Sequence, residues 1–360
     1  MPNKNNRKSN KPKSTAVLTT KLTVANADSN SGRPRRKTRR RQRKTPNNVP
    51  PYVVALVDPF NPMAFTAKVP DAEMAISSTC YSRTTDAAVT DATHGVAALA
   101  FFPDPNNYLI TASSVATATS WTWALNWTPQ ANVPNLAAIQ GAFSSLRAIA
   151  YGLRVTTPQS YYVAQGRVHV CLVSIDYARA TLNDALPQNL ANMQMQPGYF
   201  HVPLADLIKD SLVVIGKPSD SGAYRYRSAA HAWNIGLAAI AAGLESTTGW
   251  MSIVVALEGC VPNTTVLNIE SIMHYEAIVL AHTGAGIIEP TLACPHQPAV
   301  MAASQNLIAS MPAARVVDEE EAEERDLWTD LSKMWDAGVK VASGVSSAIG
   351  WMEGIAALFL

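Results

Sequence analysis

The sequence predicts an all-β body, with a basic segment ahead of it and an amphipathic helix behind it. Three observations carry this fold class. Residues 33–44 read RPRRKTRRRQRK, and nine of these twelve are cationic. Between about 52 and 282, short apolar runs rich in Val, Thr and aromatic residues alternate with Pro, Gly, Asn and Ser clusters. That texture, without long helical periodicity, marks many short strands. After about 326, apolar residues recur every three or four positions, the spacing of one stripe on a helix.

The basic segment comes first. Residues 1–44 hold 15 Lys+Arg and one acid, Asp28, a net of about +14. The whole chain has 29 Lys+Arg and 27 Asp+Glu, so residues 45–360 keep 14 bases and 26 acids, a net of −12. The total of +2 hides this separation. A polar, core-poor stretch of this kind is expected to be disordered alone, as an arm over 1–50. Its expected partner is a nucleic acid, because neutralising phosphates releases counterions and needs no defined fold. The candidate phosphate contacts are Arg33, Arg35, Arg36, Lys37, Arg39, Arg40, Arg41, Arg43 and Lys44.

The body is expected over 51–282. Three segments show the strand period. In 149–156, Ile149, Tyr151, Leu153 and Val155 face one way, and Ala150, Gly152, Arg154 and Thr156 the other. In 167–172, Val168, Val170 and Leu172 alternate with Arg167, His169 and Cys171. In 252–257, Ile253, Val255 and Leu257 alternate with Ser252, Val254 and Ala256, so this strand is expected to be covered on both faces. Leu204–Lys209 reads as one short helix inside a connection.

Residues 283–325 are expected to run as an extended strap with a helical piece, ending in the acidic run Asp318–Glu324. The helix is expected over 326–360, with Trp328, Leu331, Trp335, Val345, Ile349, Trp351 and Met352 on or beside its apolar stripe. The acids before it suit the helix dipole. Gly338, Gly344, Gly350 and Gly354 each weaken it by ~1 kcal/mol relative to Ala, so it needs a partner surface. Packing beneath the body and contact with a bilayer are both open, the Trp residues suiting a headgroup boundary.

Several chemistries find no support. Cys80, Cys171, Cys260 and Cys294 form no C-x-x-C pair, so no disulfide framework or zinc site is expected, and Cys171 and Cys260 read as buried thiols. No apolar leader region and no run of 18 apolar residues is present, so neither a secretory signal nor a constitutive membrane span is expected. The Asp220-Ser221-Gly222-Ala223 stretch echoes a protease motif but reads as a turn. There is no G-x-S-x-G, and Gly284-Ala285-Gly286 has no following Lys.

Two stretches carry a family resemblance. Leu146–Ser174 (LRAIAYGLRVTTPQSYYVAQGRVHVCLVS) has a leading Arg147, Gly-x-x-Val-Thr at 152–156, a polar turn, and Gly-x-Val-x-Val at 166–170. It resembles the paired C and D strands of the jelly-roll shell domain of small icosahedral RNA-virus coat proteins. Gly249–Ile278 resembles their last two strands, joined by a Pro-Asn turn. The likeness is to nodaviruses and to noda-like and sobemo-like viruses. It implies an eight-stranded antiparallel jelly-roll shell domain and a capsid role, with a T=3 shell of about 180 copies of the chain. It further implies genomic single-stranded RNA packaged by the basic arm, a host membrane met during entry, and a virion assembled in the host cytoplasm. Any spike would come from loops within 175–245.

In nodaviruses the terminal helix is freed by autocleavage at an Asn-Ala bond, promoted by an aspartate. Asp58, in VALVDPFNP, sits in a stretch similar to the one holding that aspartate, and is the candidate catalytic group. The Asn-Ala bond itself is missing from 311–328, and the nearest Asn is Asn306. The chain is therefore expected to be no enzyme. Related shells bind Ca²⁺ between subunits, and Asp176, Asp184 and Asp220 are candidate ligands, but no D-x-D-x-D-G loop exists and no metal set is assigned. The alternative reading is a monomeric RNA-binding β protein with a basic tail, which would need aromatic platforms on its body.

Overall fold

The computed structural model describes residues 49–71, 76–105, 107–123, 131–174, 185–229, 249–280 and 297–317, together with Ser332 and Trp335. The chain divides into two units, 1–44 and 45–360, and every described element belongs to the second. In chain order the strands are β1 (Ser78–Val89), β2 (Ala97–Phe101), β3 (Leu109–Thr111), β4 (Ser114–Thr117), β5 (Ser120–Thr122), β6 (Phe143–Thr156) and β7 (Arg167–Val173). They continue with β8 (Phe200–Pro203), β9 (Ser211–Ile215), β10 (Arg227–Ser228), β11 (Ser252–Glu258), β12 (Thr265–Val279) and β13 (Ala314–Val317). The helices are α1 (Pro51–Val57), α2 (Leu136–Ala142), α3 (Leu190–Gln194) and α4 (Pro298–Ser310).

The larger sheet runs β1-β12-β6-β9-β13, with β10 on β6, and the smaller runs β3-β2-β11-β7-β8. All these pairings are antiparallel. The short edge additions β3, β10 and β13 and the β4-β5 hairpin lie outside the basic plan. The eight remaining strands, numbered along the chain, stand in the order 1-8-3-6 in one sheet and 2-7-4-5 in the other. That order is a jelly roll, so the predicted all-β, eight-stranded antiparallel fold is the fold observed.

All three segments with a period of two lie on strands, and their apolar faces meet in the sandwich. Tyr151, Leu153 and Val155 of β6 share the main core with Val168, Val170 and Leu172 of β7 and Ile253, Val255 and Leu257 of β11. One expectation is corrected. Leu146–Ser174 does not hold a pair of strands bonded to each other. It spans the third and fourth shell strands, β6 and β7, which lie in opposite sheets. β6 pairs with β12 and β9, whereas β7 pairs with β11 and β8. Alternation tells a strand's face but not its partner, and the turn at 157–166 crosses between sheets instead of closing a hairpin.

Gly166, where this crossing ends, has φ +97, and a Cβ there would run into the Glu258 carbonyl and come within 2.7 Å of the Cys260 Sγ. The expected Pro-Asn turn between β11 and β12 is also present, with Asn263 in the left-handed region at φ 53. Leu204–Ile208 forms a short 3-10 helix where the helical connection was expected.

The smaller sheet is covered on both sides. Cys171, Val173, Val254 and Ala256 point away from the sandwich into a second core with Trp121, Trp123, Leu190 and Met193. This is the double burial that the apolar run of β11 predicts. The larger sheet also carries a cover on its outer side. Residues 49–66 lie across it, and a Cβ on Gly152 would stand 3.1 Å from the Pro59 ring. The segment expected as an extended strap is, over 297–317, the helix α4 followed by β13, which adds an edge strand beside β9. Val300, Ala303, Leu307 and Ile308 of α4 join the main core with all seven positions from Val49 and Tyr52 to Val57. Trp335 is buried in the same core.

Candidate functional site

The outer face of the larger sheet is where both ends of the body converge, and it holds a cluster of buried polar groups that includes Asp58, Asn61, Arg147, His274 and Glu276. Tyr81, Arg83, Arg154, Glu270 and His274 point outward here, since cross-strand partners share a face: Tyr81 stands opposite His274, and Arg154 opposite Glu270. Arg83 and Arg154 both pair with Glu270. The Arg154 guanidinium also lies 4.4 Å over the Phe60 ring. Phe65 stacks on Tyr81 with centroids 4.6 Å apart and sits 5.5 Å from the His274 ring. His274 Nε2 donates to the Pro59 carbonyl at 2.6 Å. Burial pushes the His274 pKa down to about 4, against the pull of the Pro59 carbonyl and the Asp58 carboxylate.

A buried ion cluster clamps the rest of the N-terminal segment. Arg147 is wholly buried and donates to Glu276 Oε2 through Nε at 3.1 Å and Nη2 at 2.8 Å. Its Nη1 also reaches Asp71 and the Tyr224 carbonyl, and the Tyr226 ring lies 4.3 Å from the guanidinium. Glu276 in turn accepts from Ser77 Oγ at 2.5 Å and from the Val69 backbone N–H at 3.1 Å. Burial acts to lower the Arg147 pKa, but the two carboxylates outweigh it and hold the group charged. The two carboxylates come from Asp71 in the segment 69–77 and from Glu276 on β12, so the cluster fastens the entry of the body onto its sheet.

The predicted residues fall as follows. Asp58 is buried at the end of α1, where its Oδ1 accepts from the Phe60 backbone N–H at 3.2 Å. Asn306 is exposed on α4. A helical residue keeps its carbonyl in the intrahelical ladder, which opposes attack on that carbonyl by its own side chain. Asp220 accepts from the Gly222 backbone N–H at 2.6 Å and caps the turn 221–224, as the turn reading requires. Asp176 and Asp184 lie outside the described residues. Among the described residues no group of three His, Cys, Asp or Glu side chains is placed to hold a metal ion. Trp335 is helical and buried. Trp328, Leu331, Val345, Ile349, Trp351 and Met352 lie outside the described residues, as do Arg33, Arg35, Arg36, Lys37, Arg39, Arg40, Arg41, Arg43 and Lys44. Among the described residues no helix is long and apolar enough to cross a membrane.

Cys171 and Cys260 are buried, and burial pushes their thiols up to about 12 and about 11. Neither is a nucleophile at neutral pH. Sequence reading missed the partners of Arg147 and the role of His274. Their partners stand 129 and 215 positions away in the chain, and only the alternation of β12 hinted that both faces were in use.

Comparison with known proteins gives a fold-level likeness. No protein-family model and no curated protein matches the sequence. Among solved structures, the chain is similar to the VP2 subviral particle of infectious bursal disease virus, with a TM-score of 0.49, 9% identity, and 80% of this chain and 100% of that one covered. It is also similar to tobacco necrosis virus, at TM-score 0.36 and 14% identity, covering 57% of this chain and 97% of that one. A third similar structure is that of cocksfoot mottle virus, at TM-score 0.33 and 10% identity, covering 56% and 92%.

Proposed function

We propose that this chain is the coat protein of a small, noda-like icosahedral positive-strand RNA virus. It would assemble with copies of itself into a closed shell around single-stranded RNA. The observation that carries the reading is a jelly roll whose outer larger-sheet face is covered by both terminal segments of the body, in a chain with about +14 on residues 1–44 and −12 on the rest. A jelly roll leaves short, protected edges and tiles a closed surface. In a T=3 shell, 180 arms would bring ~2,500 positive charges, enough for a genome of a few thousand nucleotides. The terminal helix is held beneath the body, as the buried Trp335 supports, and meets a host membrane once it is exposed. Calcium at subunit contacts stays an open part of this proposal, resting on the family resemblance alone. The work of the chain is structural, and the exposed, helical setting of Asn306 argues against cleavage promoted by Asp58.

One observation favours a different class. Tyr162 is 99% exposed at the 157–166 turn, Tyr161 is also exposed, and Lys209 Nζ lies 5.8 Å from the Tyr161 ring. Such a tip suits base stacking in a monomeric RNA-binding protein. Electron microscopy of the full-length chain expressed in insect cells separates the two readings. Closed shells with uncleaved chain and extractable RNA are expected. A monomer that binds RNA through Tyr161 and Tyr162 would overturn the coat reading.

A further inference from the structure

On the outer face of the smaller sheet, at its β8 edge, three rings and a carboxylate form one stack. His169 of β7 and His201 of β8 stand directly opposite in register, with ring centroids 5.9 Å apart and planes 22° from parallel. Tyr199 lies two residues before His201, and its ring is 6.1 Å from His169 and 5.9 Å from His201. Both nitrogens of His169 are engaged. Nε2 is 3.1 Å from Glu258 Oε2 on β11, and Nδ1 is 2.9 Å from the Tyr199 hydroxyl. With Nε2–H donating to the carboxylate, Nδ1 accepts from the tyrosine, and this arrangement needs a neutral imidazole. His169 is buried, whereas His201 is exposed.

We propose that this stack is an acid-sensitive latch, which holds β8 against β7 at neutral pH and frees that edge on acidification. The groups facing His169 set the balance. Along β7 itself they are Arg167 and Cys171, from β8 they are His201 and Tyr199, and from β11 comes Glu258. The other outward positions of β11 are Ser252, Val254 and Ala256, and the facing side chains of α3 are Leu190 and Met193, none of them charged. A protonated His169 would then crowd Arg167 and the His201 ring around a single carboxylate, Glu258. Protonation also turns Nδ1 from acceptor into donor, so the Tyr199 hydroxyl must turn round to accept and give up its present orientation. The pKa of His169 is lowered, first by burial and then by His201 and Arg167, with Glu258 opposing. A depressed folded pKa means that the fold binds fewer protons than the unfolded chain. The stability involved is complete above the unfolded value of about 6.5 and is lost as pH falls below it. β8 spans only four residues and pairs, among the described residues, with β7 alone, so local opening there is cheap compared with the rest of the sheet.

The test is hydrogen exchange read by mass spectrometry on the full-length chain at about pH 7.5 and about pH 5, corrected for intrinsic exchange rates. Amides of Phe200, His201 and Val202 are expected to lose protection on acidification by about 10-fold more than those of β12. His169→Gln and His201→Gln are each expected to abolish that excess. An unchanged excess in either variant, or no selective loss in the parent chain, overturns the latch. Should His169→Gln fail to fold, the exposed His201→Gln decides alone. The outcome is read on the chain whether or not it forms shells, so it is separate from the coat reading.

Discussion

His274 keeps its place by staying uncharged. Its ring is buried under Phe65, its Nε2–H is used on the Pro59 carbonyl, and its pKa is pushed down to about 4. In the unfolded chain the same imidazole titrates near 6.5, so between these values the fold binds fewer protons than the unfolded state. Stability from this residue is complete above ~6.5 and drains away as pH falls towards the folded value. At pH 5 the loss is about 2 kcal/mol. Chemical unfolding at pH 7 and pH 5 is expected to show that much extra acid sensitivity in the parent chain relative to His274→Gln. Equal acid sensitivity in both would remove His274 from the account. The cluster around Arg147 behaves differently, because its charges are satisfied by one another and not by neutrality. Arg147 was visible in the sequence as the residue leading a strand. Its counterion Glu276 was not, because nothing local to either position reports on the other.

Among the elements, the crossing from β6 to β7 is a tightly constrained connection. Gly166 occupies φ +97 with Cys260 and the Glu258 carbonyl against the space where a Cβ would stand. Gly166→Ala is expected to destabilise the body by about 2 kcal/mol or more, through both the left-handed backbone and the clash. A thermal melt lowered by less than a degree would show that the turn relaxes freely. Strands proved legible where one face is apolar and the other is not, as in 149–156 and 167–172, and β11 revealed its double cover by being apolar from Ile253 to Leu257. The pairings were not legible, because β12 bonds to β1 and β6 rather than to β11, its neighbour in the chain. Residues 297–317 were legible only as a strap with an unplaced helical piece. Their Ala-rich sequence carries a weak helical stripe, and β13 has only four residues, so neither period repeats often enough to be seen.

At the scale of the whole molecule, the separation of charge was the plainest signal in the sequence. Replacing Arg33, Arg35, Arg36, Lys37, Arg39, Arg40, Arg41, Arg43 and Lys44 with Gln is expected to flatten the salt dependence of binding to single-stranded RNA. With nine phosphate contacts at about 0.7 each, the slope of log K against log salt should fall by up to ~6. Fluorescence anisotropy on a labelled oligonucleotide from 50 to 200 mM salt measures it, and an unchanged slope would place the phosphate contacts elsewhere. The candidate site was legible only in outline, since a cover of one sheet face by both ends of the body depends on tertiary placement, which no local pattern encodes. The pairing of β1 with β12 also sets a clock. The first shell strand ends at Val89 and its partner begins at Thr265, so the larger sheet cannot close until nearly the whole body has left the ribosome. At ordinary synthesis rates that interval is roughly 10 to 40 s. Throughout it the positive segment 1–44 has already emerged while the folded body does not yet exist. On the proposed coat reading, a nascent chain would therefore engage RNA before it could engage its own kind, and capture of the genome would have a head start over closure of the shell.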